Sequence, residues 1–205
     1  MKRIFHSIPF IAIGALLVFG LIGCDGKGFV LGPYPFEVDI TEGVLSPEDF
    51  ADRDNHGLLA GGVRMDYCNL PTEDMFNAHL GAVVGDLGSS VSVNEIRLKD
   101  ITVTASEGDF RFANVIILRY IPAPQSGEFT LPVTLGTAFS PIGFGSTVEL
   151  KPSGRVDLLR LIQAQDANPN DTCPQLEIFV LGTMPTDTIT WRAEANVDLY
   201  VRAGL

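Results

Sequence analysis

Hydrophobic and polar positions alternate with a period of two over much of the chain. The C-terminus is clearest. Ile189, Trp191, Ala193, Ala195, Val197, Leu199 and Val201 alternate with Thr190, Arg192, Glu194, Asn196, Asp198, Tyr200 and Arg202. Successive side chains of a strand point to opposite faces, so this segment predicts a long strand with one buried and one wet face. Val91–Ala105 alternates too, with a slip: Ile96 and Leu98 share one parity, Ile101 and Val103 the other. One extra residue near Lys99-Asp100, a β-bulge, accounts for the slip. Phe112–Ile121 is apolar on both parities apart from Asn114 and Arg119, the pattern of a central strand, and Pro122 and Pro124 end it. Further strands are predicted over Phe129–Thr137, Ser146–Leu150 and Leu176–Leu181, with fainter alternation in Phe36–Thr41 and Leu58–Tyr67.

Between Tyr67 and Val91 the period changes. Thr72 is placed to cap a helix with Glu73 and Asp74 near its positive end. Phe76, Leu80, Val83 and Val84 then fall on one face, and Gly85 is placed to end it. A second helix is predicted from Gly154 to Gln165, capped by Ser153, with Val156, Leu159 and Ile162 at three-residue steps; the same stretch also fits a strand. Many short strands separated by Gly/Pro turns predict a mainly β fold, an antiparallel β-sandwich with one or two short helices. No fixed-period repeat and no low-complexity linker divides the body, so it reads as one domain.

The first residues have a different pattern. Lys2 and Arg3 precede a charge-free stretch from Ile8 to Gly23, with an unbroken apolar run starting at Ile11. This is the layout of a secretory signal peptide, and the run is shorter than the roughly 20 residues a membrane span needs. Leu21-Ile22-Gly23-Cys24 resembles the lipobox of bacterial lipoproteins. The resemblance implies cleavage before Cys24, a diacylglyceryl thioether on its sulfur and usually acylation of the new amino group. Two or three acyl chains give stable membrane anchoring, at about 0.8 kcal/mol per buried methylene. Asp25 resembles the inner-membrane retention signal of enterobacterial lipoproteins, a rule that is not general, so inner and outer membrane both stay open. The organisation expected is a signal peptide over 1–23, a lipidated tether over 24–33 and a sandwich domain over 34–205. The second half is also similar to bacterial lipoproteins with immunoglobulin-like sandwich domains. The resemblance lies in a strand into Val115-Ile116-Ile117-Leu118, the amphipathic Val156-Asp157-Leu158-Leu159 and a long last strand with Trp191. It implies an immunoglobulin-like sandwich and transfers no functional residues.

Composition sharpens this picture. The chain has 205 residues, 46% of them hydrophobic, with 14 Lys plus Arg against 25 Asp plus Glu, a formal charge of -11. Enough apolar surface is present to build a core, which excludes a disordered acidic tail. The acidity argues against nucleic acid as a partner, which takes basic patches. Losing Lys2 and Arg3 with the leader would move the charge from -11 to -13. Anionic headgroups would repel such a body, leaving the lipid to hold it. With Cys24 lipidated, Cys68 and Cys173 remain; in an oxidising compartment they read as one disulfide, and the alternative is two buried free thiols. A zinc site would have to recruit His56 and His79, and no C-x2-C or H-x3-H spacing occurs.

The search for catalytic motifs returns mostly negatives. No G-x-S-x-G elbow, phosphate-binding loop or G-x-G-x-x-G is present; Gly88-Ser89-Ser90 and Gly145-Ser146-Thr147 lack the elbow's setting. With His6 in the leader, His56 and His79 are the candidate bases, and His79 reads as a core-edge residue beside Phe76 and Leu80. Two oxygen-rich loops are candidates for calcium. Asp52-Arg53-Asp54-Asn55-His56-Gly57 resembles the opening of an EF-hand loop but departs from it at His56 and at Val63, where the closing Glu belongs. Asp166, Asn168, Asn170 and Asp171 place four oxygen-bearing side chains in one turn. Such residues also build turns without any metal. No cofactor is implied. The reading that follows is a membrane-anchored envelope lipoprotein with a non-catalytic sandwich in a structural or partner-binding role, its contact surface a sheet edge or the loops opposite the anchor. The alternatives are a small-ligand binder for a glycan or lipid, with Trp191 and Phe144 as stacking residues in a cleft between the sheets or at the helix, and an envelope hydrolase.

Overall fold

The computed structural model describes residues 29–51, 59–68, 74–78, 91–123, 131–154, 156–166 and 172–203. Among the described residues nine strands form one antiparallel ribbon: β1 (Phe29–Leu45), β2 (Phe50–Ala51), β3 (Leu59–Asp66), β4 (Val91–Glu107), β5 (Ala113–Ile121), β6 (Val133–Phe139), β7 (Thr147–Pro152), β8 (Gln175–Gly182) and β9 (Ile189–Ala203). Their order is β1-β9-β4-β7-β6-β5-β8-β3-β2. β7 is the corner. Its residues Thr147 to Leu150 pair with β4, while Lys151 and Pro152 pair with β6. The ribbon therefore folds into two layers, β1-β9-β4 against β6-β5-β8-β3-β2, and the fold is an antiparallel β-sandwich.

The inner faces make the core. On β9 the predicted apolar parity is buried from Ile189 through Val201, and on β5 Ile116 and Leu118 point inward. Contact between the layers is close. A Cβ on Gly136 of β6 would stand 3.1 Å from Ile101 Cδ1 of β4, and one on Gly43 of β1 would meet Met65 of β3 and Trp191 of β9. The expected bulge is present: the β4–β9 register shifts between Leu98 and Asp100, leaving Lys99 as the extra residue. Of two further shifts, Val93/Glu95 also shows in the sequence, as the change of parity from Val91 and Val93 to Ile96 and Leu98, and Ala105/Glu107 does not.

β1 begins at Phe29, ahead of the expected domain boundary at residue 34, so residues 29–33 belong to the sandwich and not to a tether. Pairing with β9 explains this: Phe29 to Leu31 lie opposite Ala203 to Val201, and backbone pairing needs no side-chain alternation. β1 is also far longer than Phe36–Thr41, because Gly32, Pro33, Pro35 and the register shifts Leu31/Tyr34 and Asp39/Thr41 obscure its period. Such bulges and prolines suit an edge strand.

Helical residues 74–78 (α1) place Phe76 in the core. Thr72, His79, Leu80, Val83, Val84 and Gly85 lie outside the described residues. The second helix, α2 (Leu158–Asp166), starts later than predicted, and its cap is not Ser153. Gly154 sits at φ +83° in the turn after β7, and the chain then runs along the β4 edge, where Asp157 bridges to Arg97. Asp157 Oδ1 accepts from the Leu159 N–H at 3.2 Å and from the Ile96 N–H at 3.3 Å, so one carboxylate caps α2 and pins it to β4. Leu159 and Ile162 then pack into the core.

Cys68 and Cys173 form a disulfide, with a Cα–Cα distance of 4.8 Å and a sequence separation of 105. It ties together the two strand ends where Asp66 of β3 pairs with Gln175 of β8.

Candidate functional site at the loop tip

Strand register gives the molecule two poles. At one, Phe29, Val91 and Ala203 come together. At the other, β1 ends beside β9 (Leu45 opposite Ile189), β4 ends at Glu107, and Ala113 of β5 meets Gly182 of β8. β1 runs 17 residues between the poles, roughly 50 Å at about 3.3 Å per residue.

Three loops converge at the second pole: residues 108–112, 140–146 and 183–188. Backbone hydrogen bonds lock the first between the other two. The Phe110 N–H donates to the Gly145 carbonyl at 3.1 Å, the Phe144 N–H to the Phe110 carbonyl at 3.1 Å, and the Thr183 N–H to the Phe112 carbonyl at 2.8 Å. Two glycines make this closeness possible. A Cβ on Gly143, at φ +83°, would stand 2.0 Å from the Arg111 carbonyl oxygen, and one on Gly182 would stand 2.0 Å from that of Phe112. The Phe112 ring is held edge-on to Phe50, centroids 5.6 Å apart.

On this rigid base Arg111 is 83% exposed, yet its side chain is tied down: Nε lies 3.1 Å from Asp109 Oδ2. Asp109 Oδ1 accepts from the Arg111 N–H, also at 3.1 Å. Facing this pair across a groove of about 460 Å³ are Thr183, Met184, Pro185 and Asp187. The Thr183 hydroxyl donates to the Phe112 carbonyl, and the Thr186 hydroxyl to Asp187 Oδ2 at 3.0 Å. The same pole shows apolar side chains to solvent: Met184, in the groove lining, is 53% exposed, Ile142 of the 140–146 loop 90%, and Phe139 at the end of β6 74%. Scattered exposed apolar residues are ordinary, and these three at one pole make the tip a candidate contact surface.

Among the described residues the cleft expected between the sheets is small. The space there is about 50 Å³, lined by apolar residues including Leu98, Leu135, Leu161 and Leu176 with Tyr67 and Tyr120. Small-molecule sites run from about 300 to 1,000 Å³. Burial pushes the Tyr120 hydroxyl up to about 12. Trp191, 1% exposed, is core. Phe144 is half-buried and packs on the core, though its loop belongs to the tip. Neither is placed to stack on a ligand.

Among the described residues, two clusters of three side chains outside the tip join charges across strands. On the outer face of the second layer, Glu177 sits between its cross-strand neighbours Arg64 and Arg119. It accepts from Arg64 Nε at 2.8 Å and from Arg119 Nη1 at 3.1 Å, and Arg119 also lies over the Phe179 ring at 4.8 Å. Burial alone would push the Glu177 carboxyl up; the two guanidiniums outweigh it and hold it below the usual carboxylate range. On the other layer Arg97 bonds Glu95 at 2.8 Å and the Tyr200 hydroxyl at 3.1 Å, its guanidinium 4.2 Å from the Tyr200 ring centre. Both clusters bridge neighbouring strands.

Of the other residues singled out by sequence, Cys24, Asp52, Asp54, Asn55, His56, Gly57, Ser89, Ser90, Asn168, Asn170 and Asp171 lie outside the described residues. Asp166 is the last residue of α2. Val63 is a half-buried residue of β3 opposite Ile178, a position committed to sheet pairing. Among the described residues no three His, Cys, Asp or Glu side chains are grouped to hold a metal ion, and no helix is long and apolar enough to cross a membrane. Sequence reasoning missed Asp109, Arg111 and Asp187. The available signal was two polar loops, Gly108-Asp109-Phe110-Arg111 and Thr186-Asp187-Thr188, between strands whose register only the structure supplies.

No known protein family matches the chain, and no curated protein does. Among solved structures, the Desmodium yellow mottle tymovirus structure is similar at a TM-score of 0.30 and 9% identity, over 89% of this chain and 91% of that one. Empty-head turnip yellow mosaic virus gives 0.32 and 11%, over 100% and 89%. A structure describing the promiscuous specificity of carbohydrate-binding modules of the β-sandwich superfamily gives 0.30 and 11%, over 86% of this chain and 58% of that one. Likenesses this distant transfer no residue and no activity.

Proposed function

We propose that the chain is an envelope lipoprotein, held to a membrane by lipid on Cys24, whose non-catalytic sandwich presents its loop tip to another envelope component. The observation that carries this reading is the polarity of the fold. β1 starts at Phe29, close after Cys24, at the pole opposite the tip. A lipid on Cys24 would hold that pole at the membrane surface and direct the tip outward by roughly the length of β1, about 50 Å. The acidic body keeps clear of anionic headgroups, which favours the upright arrangement. Rigid loops with exposed apolar side chains then meet the partner with little ordering cost.

The test is a photo-crosslinking residue placed at Ile142, or at Ser92 near the anchored pole, in intact cells. A defined adduct at Ile142, absent at Ser92, is the expected result. Equal crosslinking at the two positions, or no adduct at Ile142, would refute the tip as the contact surface.

A further inference from the structure

We infer that the groove between residues 108–112 and 183–188 is a saccharide-binding subsite, taking neutral, hydroxyl-rich rings. The inference rests on the reading of the tip as a contact surface and gives that contact a chemistry. Three features select this ligand class. First, on the 108–112 side the backbone has hydrogen bonds placed within the protein: the Phe110 and Phe112 carbonyls and the Arg111 N–H are all engaged. A peptide adding on by main-chain pairing would find few free partners on that loop, so recognition there falls to side chains. Second, those side chains pair acceptors with donors. The Asp109 carboxylate and Arg111 guanidinium stand side by side, with Asp187 and the hydroxyls of Thr183 and Thr186 opposite. A sugar hydroxyl both donates and accepts, so adjacent hydroxyls satisfy such a carboxylate–guanidinium pair. Two carboxylates against one guanidinium disfavour phosphate and other anionic ligands.

Third, the groove has an apolar side. The half-buried Phe112 and the exposed Met184 line it, with the buried Pro185 and Ile189 beneath them, giving the C–H face of a pyranose ring a small surface to cover while its hydroxyls reach the carboxylates. The volume, about 460 Å³, lies within the range of small-ligand sites. The site is also prebuilt, because Gly143 and Gly182 lock the Arg111–Phe112 backbone and Phe50 holds the Phe112 ring. A ligand would meet groups already in place.

The chain's four methionines offer a direct readout. Met184 lines the groove, whereas Met65 packs against the core. Full-length chain labelled with ¹³C-methyl methionine would be titrated in detergent with chitotetraose, cellotetraose and maltotetraose. The expected result is a saturable shift of the Met184 methyl with at least one of them while Met65 stays fixed. Asp109→Asn and Arg111→Gln should each weaken that titration by about tenfold, with an unmoved Met65 signal reporting an intact fold. A Met184 signal that is stationary with all three sugars at about 10 mM, or a titration that both variants leave unchanged, would overturn the assignment. If the sugars fail while Ile142 still crosslinks, the saccharide falls and the tip contact stands. If Met184 titrates but Ile142 gives no adduct, the reverse holds.

Discussion

A single methyl group at Gly182 would collide with the Phe112 carbonyl, which stands 2.0 Å from the position its Cβ would take. Nothing there yields without moving the 108–112 loop, since backbone and not a flexible side chain is in the way. Gly182→Ala should therefore cost several kcal/mol, about 2–4, and widen the groove; chemical denaturation together with the Met184 methyl signal checks both. At Glu177 the decisive quantity is exposure. Its side chain is 11% exposed, that of Arg119 30% and that of Arg64 61%. Arg119→Ala removes the better-buried partner and a ring contact and should cost about 1–3 kcal/mol. Arg64→Ala removes a largely solvated one and should cost at most about 1 kcal/mol. Because the folded Glu177 carboxyl titrates below its ordinary value of 4.5, the ion pairs stabilise fully above that pH and lose their effect as pH falls through the depressed value. Denaturation midpoints should drop below pH 4.5, and Glu177→Gln should flatten the drop. An equal drop in that variant would remove Glu177 from the explanation.

At the level of elements, the period-two pattern located β9, β5 and β8 because each buries one face or both. The same logic found the bulge at Lys99, where a parity slip is the direct trace of an extra residue. It fell short where side chains carry little register information. β1, with its prolines and two shifts, is defined by pairing with β9 and not by its own alternation. α2 was legible as an amphipathic segment, but its start was not. Ser153 looks as good a cap as Asp157 until the β4 edge is in place to share the Asp157 carboxylate. The cysteine pair was legible once Cys24 was set aside as the expected lipid site. The bridge joins elements 105 positions apart in sequence, and chain entropy puts the constraint on the unfolded state at about 4–5 kcal/mol. Cys68→Ser with Cys173→Ser should lower the free energy of unfolding by up to that amount, and reduction of the wild type should reproduce the loss. Less than about 1 kcal/mol in both would show that the bridge contributes little.

For the molecule as a whole, the fold class was legible and the site was not. Strand alternation predicts two-layered β structure because burial on one face is a local property of each strand. The tip depends on which strand ends meet, and that is set by register between segments far apart in sequence. Asp109 and Asp187 are ordinary turn residues until Gly182 brings their loops together. β1 starts at Phe29, so only four residues separate Cys24 from the first described strand, and the proposed anchor would hold the pole opposite the proposed contact surface. Everything functional in the proposal depends on that anchor. The most direct test is metabolic labelling with an alkyne palmitate analogue, comparing the wild-type chain with Cys24→Ala. The account predicts label on the wild type, recovered in the membrane fraction, and none on Cys24→Ala, which leaves that fraction. An unlabelled wild type, or label that persists in Cys24→Ala, would contradict it.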